Sequence, residues 1–264
     1  MICALTIAGS DPIGGAGIQA DIKAMSSLGV HPQTVITAIT AQNTTCVSSI
    51  MPIPREIILA QLDSVFSDCD VRAVKTGMLY SSEIVGLIVD FFNSRKIPMV
   101  VDPVMIASVG ESLASKDLAS AIRDKLLPIC DLITPNKHEA EAISGVEING
   151  EDDALRACEI MGRSGTSVYL KGGHIGSDAV VDILYHGGEF KRFVYPRLER
   201  AGHGSGCTLS AYMTAYLANG MDMIASVTHA REMIQRSIVS MYSIGKGEKV
   251  VNSAVNMLQA YPKR

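Results

Sequence analysis

The chain has no tryptophan, and aromatic residues make up only 5 % of its 264 positions. That removes the base-stacking platform on which single-strand nucleic-acid binders rely. A basic excess is missing too, since 23 Lys and Arg stand against 27 Asp and Glu, a formal net charge of −4. Tracking a phosphate backbone is therefore excluded as the main function. Charged residues amount to 19 % and hydrophobic ones to 47 %, too apolar a balance for a disordered chain. None of the six cysteines, at 3, 46, 69, 130, 158 and 207, forms a C-x-x-C pair or a zinc-ligand spacing with histidine. A core of this size needs no disulfide staples, so the thiols are expected to be buried and free in a reducing, cytoplasmic compartment. No basic segment opens the chain, the first basic residue being Lys23, and no signal peptide is expected. Residues 24–54 contain no Asp, Glu, Lys or Arg, but Thr, Ser, Gln and Asn recur through them. They read as a buried strand with polar ends, and no membrane association is expected.

What is present is an alternation of short β-branched runs with longer amphipathic ones. Strands are expected at 4–8, 34–38, 73–76, 99–102, 131–134, 167–171 and 180–185, and helices at 18–28, 56–66, 82–94, 152–161, 207–219 and 223–242. This order predicts βαβ units around a mostly parallel sheet, covered on both faces because the strands are almost continuously apolar. No linker or repeat divides residues 1–264, so one domain is expected. In such sheets ligands bind beyond the carboxyl ends of the strands. Those ends carry Gly9-Ser10-Asp11, Gln42-Asn43, Gly77-Met78, Asp102-Pro103, Pro135-Asn136 and Gly172-Gly173-His174, a more polar and Gly-rich set than turns require.

Two glycine clusters stand out. Gly15-Ala16-Gly17-Ile18-Gln19-Ala20 matches the G-x-G-x-x-A form of a dinucleotide fingerprint, but the acidic residue expected about twenty positions on is missing. A loop that approaches a ligand closely, or a tight turn needing positive φ, remains. The second cluster, Gly204-Ser205-Gly206-Cys207-Thr208, opens a helix, where free backbone N–H groups and the helix dipole favour an anion. A cysteine placed there should have its thiol pKa lowered, unless it is an inert buried residue. Neither a Walker P-loop nor a G-x-S-x-G elbow occurs. Asn136 and Glu139, three apart at a helix start, suit either a hydrated Mg²⁺ beside phosphates or a simple capping box. Asp102 offers a second carboxylate, and Lys171 at the end of an apolar strand is costly unless it meets a charged ligand.

Taken in order, these segments resemble the ribokinase-like superfamily, and within it the hydroxymethylpyrimidine/phosphomethylpyrimidine kinases of thiamine biosynthesis. The resemblance runs from residue 4 to about 220. It is carried by Ala4-Leu5-Thr6-Ile7-Ala8-Gly9-Ser10-Asp11-Pro12, the Gly14–Asp21 stretch, Ala41-Gln42-Asn43-Thr44, Lys75-Thr76-Gly77-Met78, Val101-Asp102-Pro103-Val104-Met105, Thr134-Pro135-Asn136 with Glu139, Lys171-Gly172-Gly173-His174, and His203-Gly204-Ser205-Gly206-Cys207-Thr208. It implies a single-domain, three-layer α/β/α fold and an ATP- and Mg²⁺-dependent kinase, expected as a homodimer. The implied reaction phosphorylates 4-amino-5-hydroxymethyl-2-methylpyrimidine and then its monophosphate. A pyridoxal kinase of the same fold and a non-catalytic vitamin- or nucleotide-binding protein are the alternatives.

Carried over by resemblance, Gln42, Gly9, Asp21, Met78 and Val104 would bind the pyrimidine, and Gly204, Ser205 and Gly206 would form an anion hole. Cys207 would stand where sugar kinases of the superfamily have a catalytic Asp. Lys171 would contact the transferring phosphate. Asn136, Glu139, Lys171 and Gly173 would serve the nucleotide, and Asp102 with Glu139 the Mg²⁺. A Gln amide at position 42 offers an acceptor and a donor to an aminopyrimidine edge. Two departures from the family pattern are visible. Ala201-Gly202 replaces a polar pair before the anion hole, and residues 106–115 carry no Cys. Related bacterial pyridoxal kinases place a second Cys in that lid, so its absence favours the pyrimidine.

Overall fold

The computed structural model describes residues 1–105, 115, 117–172, 179–196, 198 and 202–256. In chain order the elements are β1 (Cys3–Ser10), α1 (Gly17–Ser27), β2 (His31–Gln42), β3 (Val47–Pro52), α2 (Arg55–Asp68), β4 (Val71–Thr76), α3 (Ser82–Phe92), β5 (Met99–Val101) and α4 (Leu118–Ala121). Helix α4 runs on into a π-turn and a 3-10 turn. Then follow β6 (Leu132–Ile133), α5 (Lys137–Ser144), α6 (Glu151–Met161), β7 (Ser167–Leu170), β8 (Ala179–His186), β9 (Glu189–Pro196), α7 (Ser205–Ala218) and α8 (Met223–Val239).

All nine strands form one sheet in the order β3-β2-β1-β4-β5-β6-β7-β8-β9. The six strands from β2 to β7 are parallel, while β3, β8 and β9 pair antiparallel. The expected helix-covered, mostly parallel sheet is therefore present. Side-chain alternation along β1 sends Leu5 and Ile7 into one core, with Ile58, Leu62, Ile84, Ile88, Ile143 and Met161 of α2, α3, α5 and α6. Ala4 enters the other, with Met25, Tyr212 and Ile234 of α1, α7 and α8. Three layers result.

Two strands escaped the sequence reading. The stretch 24–54, expected as one buried strand, contains β2, longer than foreseen, and the edge strand β3. The turn between them is built by Asn43, whose side-chain oxygen accepts from the Thr45 and Cys46 amides at 2.8 and 3.1 Å. Strand β9 carries Lys191 and Arg192 on an exposed sheet edge, so no apolar run announced it. The long last helix stops at Val239, short of the expected 242. All six cysteines are free, as expected; Cys130 and Cys158 are buried and the other four are partly buried. No described helix is long and apolar enough to cross a membrane.

Strand order reverses between β1 and β4. Their carboxyl ends, Gly9-Ser10-Asp11 and Gly77-Met78, flank the crevice where a parallel sheet opens to a ligand. Helix α7 packs across β4, β5 and β1 with its first turn at this crevice. Small residues at Gly206, Ser210 and Ala211 permit that approach.

Candidate active site

The loop after β1 is organised by one carboxylate. Asp11 accepts from the Ile13 amide at 3.0 Å through Oδ1, and from the Gly15 and Ala16 amides at 3.0 and 2.8 Å through Oδ2. The loop's own amides are thus satisfied internally, which removes it as a phosphate cradle. Its glycines serve close approach instead. Gly17 has φ +57°, and a Cβ there would lie 2.3 Å from the Gly9 carbonyl oxygen. His203 Nε2 reaches Asp11 Oδ2 at 3.0 Å. Burial presses the Asp11 pKa upward, but the His203 and backbone hydrogen bonds outweigh it, and the carboxyl stays below its ordinary value.

Gly204, at φ +83°, ends the loop before α7 and offers the helix no side-chain cap. A Cβ on Gly204 would lie 1.7 Å from the Gly15 carbonyl oxygen, so the two glycine loops touch backbone to backbone. The Ser205 amide turns back to Gly202 O at 3.2 Å. Gly206 and Cys207 follow in the first helical turn, whose N–H groups have no acceptor within the helix.

Facing this turn is a cluster of three charges. Lys171 Nζ lies 3.1 Å from Asp102 Oδ1 and 3.7 Å from Glu139 Oε2, and a Cβ on Gly206 would be 3.3 Å from the same Nζ. Asp102 is held by Thr134 Oγ1 at 3.3 Å and Ser210 Oγ at 3.4 Å. Burial works against the Lys171 ammonium, yet Asp102 and Glu139 beside it outweigh burial, and its pKa lies above the ordinary value. Burial pushes Glu139 up to about 7, opposed by Lys171 and reinforced by Asp102. The two readings of Asn136 and Glu139 turn out compatible. Asn136 Oδ1 accepts from the Glu139 amide at 3.0 Å and Glu139 Oε2 from the Asn136 amide at 2.7 Å, a complete capping box. That box aims Glu139 at Lys171.

Cys207 corrects an expectation. The helix terminus does not lower its pKa; burial pushes the thiol up to about 12, with Lys75 and the Gly17 amide only partly compensating for Asp102 and Asp21. The dipole is weak against loss of solvent. Asp21 is corrected as well. It is fully buried, takes Lys75 Nζ on both oxygens at 3.0 and 2.8 Å and the Thr6 hydroxyl at 2.5 Å, so it lies beneath the crevice and supports it. Thr6 and Lys75 are cross-strand neighbours of β1 and β4, and a Cβ on Gly77 would be 2.8 Å from Lys75 Nζ. Burial alone would depress the Lys75 pKa, but Asp21 raises it above the ordinary range.

On the other side of the crevice, Ala38, Met78, Val104 and Tyr80 form a small apolar cluster. Gly9 belongs to it because a Cβ there would lie 2.9 Å from Met78 Sδ. Thr37 Oγ1 donates to Met78 O at 2.6 Å and fixes that bend. Gln42 Nε2 lies 3.5 Å from His203 Nε2, which joins the apolar side to the glycine loops. Gly173, His174, Ala201 and the stretch 106–114 lie outside the described residues. The sequence reading missed Asp11, His203 and Lys75 as site residues. Each lies within two residues of a glycine in a quoted motif, but nothing local shows what each contacts.

A parallel sheet opening at its reversal point onto a glycine-lined helix mouth, with a lysine held between two carboxylates, defines a phosphotransferase of the ribokinase-like class. A family model described as phosphomethylpyrimidine kinase matches residues 11–252, and the chain belongs to that family. It is 42 % identical over 254 residues to the hydroxymethylpyrimidine/phosphomethylpyrimidine kinase of Rhizobium meliloti, covering 94 % of this chain and 96 % of that one. It is 43 % identical over 251 residues to the thiamine biosynthesis bifunctional protein ThiED of Geobacter sulfurreducens, covering 94 % of this chain but 51 % of that longer protein. Among solved structures, an ADP complex of Bacillus subtilis pyridoxal kinase superposes with a TM-score of 0.88 at 33 % identity, over 97 % of this chain and 99 % of that one.

Proposed function

We propose that the chain transfers the γ-phosphoryl group of ATP to the hydroxymethyl oxygen of 4-amino-5-hydroxymethyl-2-methylpyrimidine, and then phosphorylates the monophosphate to the diphosphate. The observation that carries this reading is Lys171, held 3.1 Å from Asp102 with its Nζ 3.3 Å from where a Cβ on Gly206 would lie, at the mouth of α7. Phosphoryl transfer needs positioning and neutralisation of charge more than covalent chemistry. The amides of Gly206 and Cys207 and the Lys171 ammonium supply donors and positive charge where the equatorial oxygens of the transferring group would lie. The ring would rest on Ala38, Met78 and Val104, with its hydroxymethyl arm toward Cys207. With its pKa near 12, Cys207 is a neutral thiol at physiological pH and orients the hydroxyl by hydrogen bonding. In a loose transition state the hydroxyl keeps its proton until late, so an oriented nucleophile suffices. The pyridoxal kinase that binds ADP supports ATP as donor, and the higher identity to the Rhizobium pyrimidine kinase supports the pyrimidine over pyridoxal. An ADP-release assay with the pyrimidine alcohol, its monophosphate and pyridoxal tests the reading. Faster turnover of pyridoxal would reassign the substrate, and no ADP with any of the three would leave a binding protein.

Mg²⁺ fits this site as the nucleotide's companion. Among the described residues no three His, Cys, Asp or Glu side chains form a metal cage. Asp102 and Glu139 already share Lys171, so they would hold a hydrated ion carried on phosphates, which is how Mg²⁺ is commonly bound. That ion would neutralise the β- and γ-phosphate charge. Turnover is therefore expected to vanish in excess chelator and return with added Mg²⁺; full activity in chelator would overturn the kinase reading.

Cys207→Ala is expected to lower kcat by about 10²-fold with little change in KM for ATP, because the thiol would touch the acceptor hydroxyl and not the nucleotide. Cys207→Ser, which keeps a hydrogen-bonding group, should retain more activity. Equal kcat for wild type and Cys207→Ala would make the residue structural. A homodimer is part of the proposal, supported by the cross-strand pair Ile39 and Met51, 43 % and 56 % exposed on the β2–β3 edge. Light scattering of wild type and Met51→Lys tests it. Six free thiols support a reducing, cytoplasmic setting.

A further inference from the structure

His203 sits between two groups that ask different things of the same ring nitrogen. Its Nε2 is 3.0 Å from Asp11 Oδ2 and 3.5 Å from the terminal amide of Gln42. Asp11 is an ionised acceptor already taking the Ile13, Gly15 and Ala16 amides. An ionised carboxylate has no proton to donate, so Nε2 must carry the hydrogen that joins them. This holds whether the imidazole is neutral or cationic. A Gln amide facing an N–H can only turn its oxygen toward it, because NH2 against N–H sets donor against donor. Carbonyl and amino ends of a Gln are assigned from the hydrogen-bond network around them, and here that network specifies Oε1 toward His203.

We propose that Asp11 and His203 are positioning residues that fix the orientation of the Gln42 amide, so that Gln42 presents its NH2 group as a donor to a ring-nitrogen acceptor of the substrate. This rests on the reading that Gln42 borders the ring pocket. It revises the simpler expectation that Gln42 reads the amino group and a ring nitrogen together. One donor meets one acceptor, and the 4-amino group is recognised elsewhere. A pyridine nitrogen would satisfy the same donor, so Gln42 selects for a ring acceptor and not between pyrimidine and pyridoxal. The same His203 directly precedes Gly204. Its backbone is pinned by His203 N–H to Lys249 O at 2.8 Å and Val251 N–H to His203 O at 3.1 Å. Ring recognition and the helix mouth therefore share one rigid connection.

His203→Leu removes the Nε2 hydrogen that fixes the Gln42 amide, while Asp11 keeps the Ile13, Gly15 and Ala16 amides. Gln42 is then free to turn its NH2 inward and its oxygen to the substrate. Two acceptors would meet at the ring nitrogen, and KM for the pyrimidine alcohol should rise roughly tenfold or more. In a Gln42→Leu background the same His203→Leu change should add little to KM, since no amide remains to be oriented. Full additivity of the two effects would overturn the proposal. A second cycle compares the pyrimidine alcohol with its analogue lacking the 4-amino group. The cost of Gln42→Leu should be the same for both substrates, and a tenfold smaller cost for the analogue would show that Gln42 reads the amino group after all.

Nitrogen-15 NMR of the imidazoles in the wild-type protein gives a readout without substrate. His203 is expected to show a protonated Nε2. A bare Nε2 with the proton on Nδ1 would overturn the proposal even if His203→Leu fails to fold. Because that measurement needs no turnover, it separates failure of the positioning idea from failure of the assigned reaction.

Discussion

Lys171→Met is expected to lower kcat by about 10³-fold, the size of effect that follows loss of a cation from a transferring phosphoryl group. Met keeps most of the length of the unbranched side chain, so the loss reports mainly charge and not volume. Stability should fall much less. Asp102 and Glu139 lose the ammonium at 3.1 and 3.7 Å, and an uncompensated buried pair of carboxylates is costly. Glu139 offers an escape, because burial already holds its pKa at about 7 against an ordinary 4.5. An acid whose folded pKa is raised contributes stability that is present below the unfolded value and lost as pH rises through the folded one. Removing Lys171 takes away an influence that lowers the Glu139 pKa, so that window widens upward. The Tm deficit of Lys171→Met should therefore narrow on acidification from about pH 8 to about pH 5. Steady-state kinetics and thermal melts at the two pH values check both statements. A kcat within tenfold of wild type would remove Lys171 from the reaction, and a Tm deficit that widens in acid would contradict the buried-carboxylate account.

Gly204→Ala is expected to lower kcat by about 10²- to 10³-fold through geometry alone, as when donors of an oxyanion hole are withdrawn. Two costs combine at this position. A left-handed backbone at φ +83° is worth roughly 1–2 kcal/mol against any residue with a Cβ. The new Cβ would also lie 1.7 Å from the Gly15 carbonyl oxygen, and Gly15 cannot give way easily because Asp11 holds its amide at 3.0 Å. The start of α7 must move away from the β1 loop, carrying the amides of Gly206 and Cys207 with it. A fall in Tm of roughly 5 °C or more should accompany the loss. Gly150→Ala is the control: this glycine also precedes a helix, at φ −159° and with no atom within 4 Å of a Cβ, and its activity should not change. Wild-type kcat in Gly204→Ala would mean that the two glycine loops need not touch for turnover.

The expected strands of the central sheet were legible because each is an apolar run bounded by polar punctuation, and β1 and β4 needed no further signal. The strands that escaped are edge strands. On β3, Ser48, Ser49 and Met51 are exposed, and on β9 Lys191 and Arg192 are, so no burial pattern could mark them. Among the site residues, Lys171, Asp102 and Glu139 could be listed as candidates from chemistry at strand and helix ends. Whether Asn136 and Glu139 made a cap or a ligand pair could not be decided locally, because the capping box that forms also turns Glu139 toward Lys171.

By itself the sequence determined the alternation of strands and helices, the polar residues at the strand ends, the glycines that let backbone approach backbone, and the resemblance to a kinase family. All of these are local patterns, set by side-chain period and by which residues tolerate a given φ. Only the tertiary structure decided the electrical state of the site. The helix terminus at Cys207 pointed to a lowered pKa, while loss of solvent and the nearby Asp102 and Asp21 raise it. Asp21 is expected at the substrate surface from its motif, yet Lys75, 54 residues away, takes it into the core. Asp11 and His203 are separated by 192 residues and meet at 3.0 Å. Desolvation and ion pairing depend on every atom brought within a few ångströms, and those atoms come from distant parts of the chain.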